Sequence, residues 1–294
     1  MVKVFLLTLL ALASFTFANN VNVANRLTAY GYLTKYGIPE AERIRKLEEN
    51  AASRIVGGVP AGDGQYEYQA GLIISIAGIT GRGVCGGSLV SASRVITAAH
   101  CWYDGTNQGW QIEVVLGSRW IFQGGERIFT SAVITHPNWF PLLIRNDVAV
   151  IYLPSAVSFS NLIGPVALPF GSMLNENFAG ETGIASGFGL TSDQQNSIPA
   201  DQVLHHVSLV ILTNSACSFA FPGVIQETNI CTRGLGGVGT CSGDSGGPLV
   251  VTRSGERVMV GIVSFGIAFG CEINFPAAYA RVTSFMGFFN QHIH

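Results

Sequence analysis

Thr240–Leu249 reads TCSGDSGGPL, and the reading of this stretch decides the fold. Ser245 stands between Gly243-Asp244 and Gly246-Gly247, and such flanks let the backbone turn tightly enough for its N–H groups to converge on one point beside the hydroxyl. A Gly-Ser run by itself is usually a flexible loop, and a phosphate-binding loop is the rival reading of the Gly-rich run Gly234–Gly247. That rival needs a G-K-[ST] ending, which is missing.

Two segments upstream complete the argument: Thr97-Ala98-Ala99-His100-Cys101 and Asn146-Asp147-Val148-Ala149-Val150. Alone, a histidine after a strand is usually a core or surface residue, and an aspartate before an apolar run is usually a turn or cap. Together they stand in the order His, Asp, Ser, with Arg54-Ile55-Val56-Gly57-Gly58 ahead of them and cysteines around them. A serine hydroxyl is a poor nucleophile at neutral pH; an imidazole that takes its proton and a carboxylate that orients the imidazole supply what it lacks.

Composition sets the frame. The chain has 294 residues, 48% of them hydrophobic, enough for a sizeable core and too apolar for a disordered chain. Lys3, the apolar run Val4–Ala13 and the small residues of Thr16-Phe17-Ala18 form a secretory-signal pattern with a cut expected after Ala18. That run is shorter than the ~20 residues that cross a bilayer, and no later stretch reaches such a length free of Gly, Pro or charge, so no membrane partner is expected. Residues 19–54 carry six Lys/Arg against four Asp/Glu, whereas residues 55–294 carry nine Arg, no Lys and fourteen Asp/Glu. No basic patch invites nucleic acid. The lysine-free body is also missing one class of tryptic site, which suits a lumen rich in trypsin-like enzymes. All six cysteines, Cys85, Cys101, Cys217, Cys231, Cys241 and Cys271, lie beyond residue 84. In a secreted chain they read as disulfides, in any of fifteen pairings; C-x-x-C pairs, the usual mark of a zinc site, are missing, so no metal is expected.

From Pro39 to Ala51, PEAERIRKLEENA places Ala41, Ile44, Leu47 and Ala51 at helical spacing, with Pro39 at a plausible first helical position. Beyond residue 55 the texture changes to short apolar or alternating runs, among them Ala70–Ile76, Arg94–Ala98, Glu113–Leu116, Val148–Leu153 and Arg257–Ser264, punctuated by Gly, Pro, Asn and Asp. Many short strands without strand-helix alternation predict an all-β sandwich or barrel. Thr283–Ile293 places Phe285, Met286, Phe289 and Ile293 on one face of a terminal helix.

These motifs, in order and spacing, resemble the chymotrypsin-like serine peptidases from Ile55 onward. Wider stretches, GERIFTSAVITHPNW (125–139), NDVAVIYLPS (146–155), SGFGLTSD (186–193) and GGVGTCSGDSGGPL (236–249), are similar to the arthropod digestive chymotrypsins called brachyurin-like. The resemblance implies an all-β fold of two packed six-stranded antiparallel β-barrels with a C-terminal helix, and a cleft between the barrels. It implies a signal peptide (1–18), an activation propeptide (19–54) and a peptidase domain (55–294). It pairs Cys85 with Cys101, Cys217 with Cys231 and Cys241 with Cys271. It casts His100, Asp147 and Ser245 as a catalytic triad and the N–H groups of Gly243 and Ser245 as the oxyanion hole.

The resemblance also makes Arg54-Ile55 the activation bond, cut by a trypsin-like protease, after which the Ile55 amine would pair with Asp244. Because residues 19–54 hold no cysteine, no disulfide would tether the freed segment. The primary pocket is implied at Gly239, Thr240 and Ser242, at Ser264, Phe265 and Gly266, and at Ala277. Gly239 stands where trypsins carry an aspartate, so large apolar P1 residues (Phe, Tyr, Leu, Met) are expected, with Ala277 trimming the pocket by a methyl. The calcium loop of trypsin-type relatives uses two glutamates, and Gly117–Arg127 offers only Glu126, so neither calcium nor another cofactor is implied. The expected partners are protein or peptide substrates, the activating protease and protein protease inhibitors, for a monomeric, secreted enzyme of digestion in the gut lumen. The alternatives are a broad-specificity collagenolytic or elastase-like peptidase, a regulatory cascade protease, and a non-catalytic protease homologue.

Overall fold

The computed structural model describes residues 20–51, 62, 64–189, 203–234, 239–268 and 274–293. Two β-sheets dominate. The first holds β1 (Gln69–Ile76), β2 (Arg82–Ser91), β3 (Arg94–Thr97), β4 (Gly109–Leu116), β5 (Glu126–Thr130), β6 (Val133–Thr135) and β7 (Ala149–Tyr152), in the order β5-β4-β1-β2-β3-β7-β6. The second holds β8 (Thr182–Gly187), β9 (His205–Leu212), β10 (Asn229–Thr232), β11 (Pro248–Arg253), β12 (Glu256–Phe265) and β13 (Ala277–Arg281), closed into a barrel as β10-β13-β12-β11-β8-β9. The all-β expectation holds, with one difference in the first sheet. It has seven strands where the resemblance implied six, with β5 and β6 separated by Ser131-Ala132. There Thr130 Oγ1 donates to Tyr152 O at 2.8 Å and Tyr152 N–H donates to Ala132 O at 2.9 Å. The sheet's two edge strands are thus consecutive in the chain, and its edges meet at this kink.

Antiparallel register delivers the site residues. In the β3–β7 pair Thr97 faces Ala149, so the residues just past the end of β3 lie beside those just before β7. His100 occupies the first place, in the 3-10 turn Ala99–Cys101, and Asp147 the second. In the other barrel β11 pairs with β12, and Val263 N–H donates to Gly247 O at 2.9 Å, which holds the Ser245 turn beside Ser264. The two sheets are joined there as Gly86 N–H donates to Ser245 O at 2.7 Å.

Disulfides fix the same region. Cys85–Cys101 ties β2 to the His100 turn, and Cys217–Cys231 ties α2 (Asn214–Ala220) to β10, both as the resemblance implied. Each closes a loop of about 15 residues, worth roughly 3 kcal/mol through the unfolded chain. Cys241 is also disulfide-bonded, and Cys271, its expected partner, lies outside the described residues. Cys85 and Cys101 lie close to His100, but their sulfurs are bonded to each other and offer no thiolate to a metal.

The segment ahead of the barrels is helical for longer than its pattern suggested. A π-helix, Leu33–Gly37, runs straight into α1 (Ile38–Ala51). Pro39 therefore stands inside a continuous helical run and not at its first position, and the wider π turn precedes the point where proline cannot donate. Ala41, Ile44 and Leu47 are buried as their spacing predicted. At the other end the helix starts as a 3-10 turn, Val282–Phe285, and continues as α3 (Met286–His292), with Phe285, Phe288 and Phe289 in the core. Arg94 Nε–H, donating to His292 O at 2.8 Å, satisfies a carbonyl at its end. No helix among the described residues is long and apolar enough to cross a membrane.

Candidate active site

His100 Nδ1–H donates to Asp147 Oδ2 at 2.7 Å, and the His100 backbone N–H donates to Asp147 Oδ1 at 2.9 Å. Both carboxylate oxygens thus hold the same histidine, one by its ring and one by its backbone. Ser264 Oγ–H donates to Asp147 Oδ2 at 2.6 Å, so the buried carboxylate takes three donors. Sequence reasoning placed Ser264 in the substrate pocket and missed this contact, since nothing local to Ser264 reports a partner 117 positions away. The Nδ1–H bond leaves Nε2 unprotonated in the neutral ring and aimed away from the carboxylate, the tautomer a proton acceptor needs.

Ser245 and Gly243 sit in the turn before β11. Gly243 has φ +98°, a conformation open to glycine, which turns its N–H inward. That N–H is taken: it donates to the hydroxyl of Tyr32, at 3.3 Å, and Tyr32 in turn donates to Val84 O at 2.9 Å. The Tyr32 ring meets the His100 ring edge-on, with centroids 4.9 Å apart. His100 is 0% exposed and its Nε2 has no hydrogen-bond partner among the described residues. Burial pushes the Tyr32 pKa above the ordinary tyrosine value, outweighing the Ser245 side chain and the Gly243 N–H, both of which favour its ionised form.

Gly239, Thr240, Ser242, Phe265, Gly266 and Ala277 line one cavity with Ser245 and Ser264. Its volume is about 50 Å³, and Thr28 and Tyr32 form part of its wall. Among the described residues, none that lines it is acidic. Phe265 is buried against Phe221, with ring centroids 5.4 Å apart, which braces that wall from behind.

Asp244 faces the other way from Ser245. Its Oδ1 accepts from Gly189 N–H at 2.8 Å and its Oδ2 from Cys241 N–H at 2.9 Å. Burial pushes its pKa up to about 6; these two N–H groups pull it down, nearby Glu40 pushes it up, and Arg43 pulls it down. Arg54 and Ile55, the expected activation bond, lie outside the described residues, as does the expected signal segment 1–18. The sequence reading also missed Glu40 and Glu48, both buried although carboxylates on a helix usually face water. Glu48 accepts from Ile121 N–H at 2.7 Å and Phe122 N–H at 2.9 Å, inside the very loop, Gly117–Arg127, read for calcium ligands. The run Tyr30-Gly31-Tyr32 carried a signal that was not used: aromatic residues in a polar leader have to be buried somewhere.

The trypsin family's sequence profile matches residues 55–288. The brachyurin of Leptuca pugilator is 37% identical over 235 residues, covering 79% of this chain and 95% of its own. The collagenase of Hypoderma lineatum is 35% identical over 239 residues, covering 81% and 86%. A solved structure of HL collagenase superposes with a TM-score of 0.72 at 33% identity, covering 81% of this chain and 98% of that one. The chain belongs to the trypsin family and is a chymotrypsin-like serine endopeptidase.

Proposed function

We propose that the chain is a secreted zymogen, cut at Arg54-Ile55, that hydrolyses peptide bonds after large apolar residues through an acyl-enzyme, with His100, Asp147 and Ser245 as its triad. The observation that carries the triad is the carboxylate of Asp147, which holds His100 by ring and backbone at 2.7 and 2.9 Å while Ser264 donates to it. In the reaction Ser245 Oγ attacks the scissile carbonyl carbon and its proton passes to His100 Nε2. The Gly243 and Ser245 N–H groups receive the oxyanion. His100 then returns the proton to the leaving amine as the C–N bond breaks, leaving the acyl group on Ser245. Water repeats the sequence, giving its proton to His100 and its oxygen to the acyl carbon, and Ser245 is regenerated.

Activation follows from Asp244. In the uncut chain its carboxylate rests on two backbone N–H groups at a depth that raises its pKa to about 6, with no cation paired to it among the described residues. A free Ile55 ammonium is a stronger partner for a buried carboxylate, and pairing with it would draw Asp244 and the adjoining Gly243-Ser245 turn into working order. The apolar preference rests on the cavity walls, where Gly239 and Ala277 stand and, among the described residues, no carboxylate does. Secretion rests on the Lys3 to Ala18 signal pattern, and a digestive role in a gut lumen on residues 55–294, which hold no lysine and so offer trypsin-like enzymes one class of cut site fewer. A trypsin-like activating protease, protein inhibitors and a monomeric state complete the reading. The test is the initial rate on matched chromogenic peptides with P1 Phe, Leu, Ala and Arg, before and after limited trypsin treatment and with the trypsin then inhibited. Phe and Leu cleavage only after the cut is the expected result; strong Arg cleavage would refute the pocket, and equal rates before the cut would refute the zymogen.

A further inference from the structure

The leader lies along the cleft. Thr28 N–H donates to Gly266 O at 3.2 Å, Gly266 N–H donates to Thr28 Oγ1 at 3.0 Å, and Ala268 N–H donates to Arg26 O at 3.0 Å. Leu27 pairs antiparallel with Ile267. The leader therefore forms an antiparallel bridge with the segment just after β12, next to the cavity wall of Ser264, Phe265 and Gly266. Beyond Thr28 its path departs from a substrate's. Gly31 turns at φ +69°, and its N–H donates to Asp104 O at 3.0 Å, while Leu33 N–H donates to Asp104 Oδ2 at 2.9 Å. The chain is drawn towards the His100 side. The group that reaches the Gly243 N–H is the Tyr32 hydroxyl and not a peptide carbonyl. A phenol oxygen in that position carries no acyl carbon, so Ser245 has nothing to attack, and the ring fills the space beside His100.

The grip extends past the catalytic centre. Leu33, Ala41, Ile44 and Leu47 are buried, and the first three share the main hydrophobic core with residues of the first sheet. Glu48 holds the N–H groups of Ile121 and Phe122. All of these residues precede Arg54, so hydrolysis of the Arg54-Ile55 bond breaks none of the contacts.

We propose that residues 20–51 are a non-covalent inhibitor of this chain's own peptidase domain: after cleavage before Ile55 the segment stays in the cleft, its Tyr32 hydroxyl in the oxyanion site, and activity appears as it dissociates. The proposal rests on the zymogen reading above. Cutting the bond is then necessary and not sufficient, and the freed leader works in trans on any mature copy it meets.

The experiment uses the full chain with residues 50–54 exchanged for the enteropeptidase sequence Asp-Asp-Asp-Asp-Lys, so that one enzyme cuts before Ile55 and leaves the leader whole. Complete cleavage is verified by mass spectrometry, and turnover of a P1 Phe peptide is followed across a dilution series. The expected result is a specific activity that rises on dilution to a plateau. Tyr32→Phe keeps the ring but takes away the hydroxyl, leaving Gly243 N–H and Val84 O unpaired, so its midpoint is expected at a concentration at least ~10-fold higher. Full specific activity at every concentration immediately after the cut would overturn the proposal and leave the peptidase reading intact. Superimposed curves for parent and Tyr32→Phe would overturn the assignment of Tyr32. No turnover by either, once the leader has been removed by chromatography, would overturn the zymogen reading and the inhibitor with it.

Discussion

Gly246→Ala tests whether the turn that presents Ser245 is as tight as its hydrogen bonds indicate. Gly246 has φ +81°, and a Cβ there would stand 2.1 Å from Thr97 Oγ1 and 2.6 Å from Gly86 O. Thr97 Oγ1 is itself engaged, donating to Gly86 O at 2.8 Å. An alanine held at positive φ costs about 1–3 kcal/mol. Displacing the Thr97 hydroxyl removes a buried bond and strands its partner, about 1–3 kcal/mol more. The sum, roughly 2–6 kcal/mol, is to be read from urea unfolding of the uncleaved chain in a Ser245→Ala background, which prevents self-digestion. A shift of Ser245 by about 1 Å also costs on the order of 10² in kcat/KM of the activated enzyme. Adding Thr97→Ala removes the nearest clash but neither the Gly86 O contact nor the φ cost, so about 1 kcal/mol should return and no more. A loss below about 1 kcal/mol for Gly246→Ala, with activity kept, would refute the geometry.

Three further outcomes follow from the same site. Burial holds Asp244 at about 6, Glu48 at about 7 and Glu40 above its ordinary value in the uncut chain. A raised carboxylate stabilises the fold fully below its unfolded pKa and loses that contribution as pH rises through the folded value. Uncleaved Ser245→Ala protein should therefore lose more of its urea midpoint between pH 4 and pH 7 than the same protein freed of residues 20–51; an equal or smaller loss would contradict the assignment. Ala277→Gly restores one methyl's room to the pocket, so kcat/KM for P1 Phe relative to Leu should rise by about 5-fold, and an unchanged ratio would place Ala277 away from P1. Asp147→Asn should leave the fold intact and cut turnover by about 10⁴, the loss the same change causes elsewhere in the trypsin family; a loss under tenfold would remove Asp147 from the triad.

Legibility in the sequence followed the range of the interaction. The strands were read from local alternation and came within a few residues: Ala70–Ile76 lies inside β1, Val148–Leu153 around β7 and Arg257–Ser264 inside β12. The short edge strands β5 and β6 went unread, because each is at most five residues long and too brief for alternation to mark. The pairing of His100 with Asp147 was legible because the chemistry restricts the residue types and the family resemblance sets their order, and the structure brings the two within 2.7 Å. Ser264 as a partner of Asp147 was not, since its hydroxyl has no local signature.

The leader was half legible. Its apolar stripe, Ala41, Ile44 and Leu47, predicted burial correctly, since spacing alone sets which residues share a helix face. What the stripe docks on is set by the shape of a surface made far along the chain. Tyr32 in contact with Gly243, across 211 positions, and Glu48 with Phe122, across 74, are of that kind. The helix itself was read one feature short, because a π turn ahead of a proline leaves no mark in a period-3.6 pattern.

The central claim is that Ser245 becomes a nucleophile only when the chain is cut before Ile55 and Tyr32 leaves the cleft. A fluorophosphonate that bonds to activated serines reports this directly, read by intact-mass spectrometry on uncut protein, on cut and diluted protein, and on a cut Ser245→Ala control. The account predicts one adduct per chain, on Ser245, in the cut and diluted sample alone. Equal labelling of the uncut chain, or an adduct on the Ser245→Ala control, would contradict it.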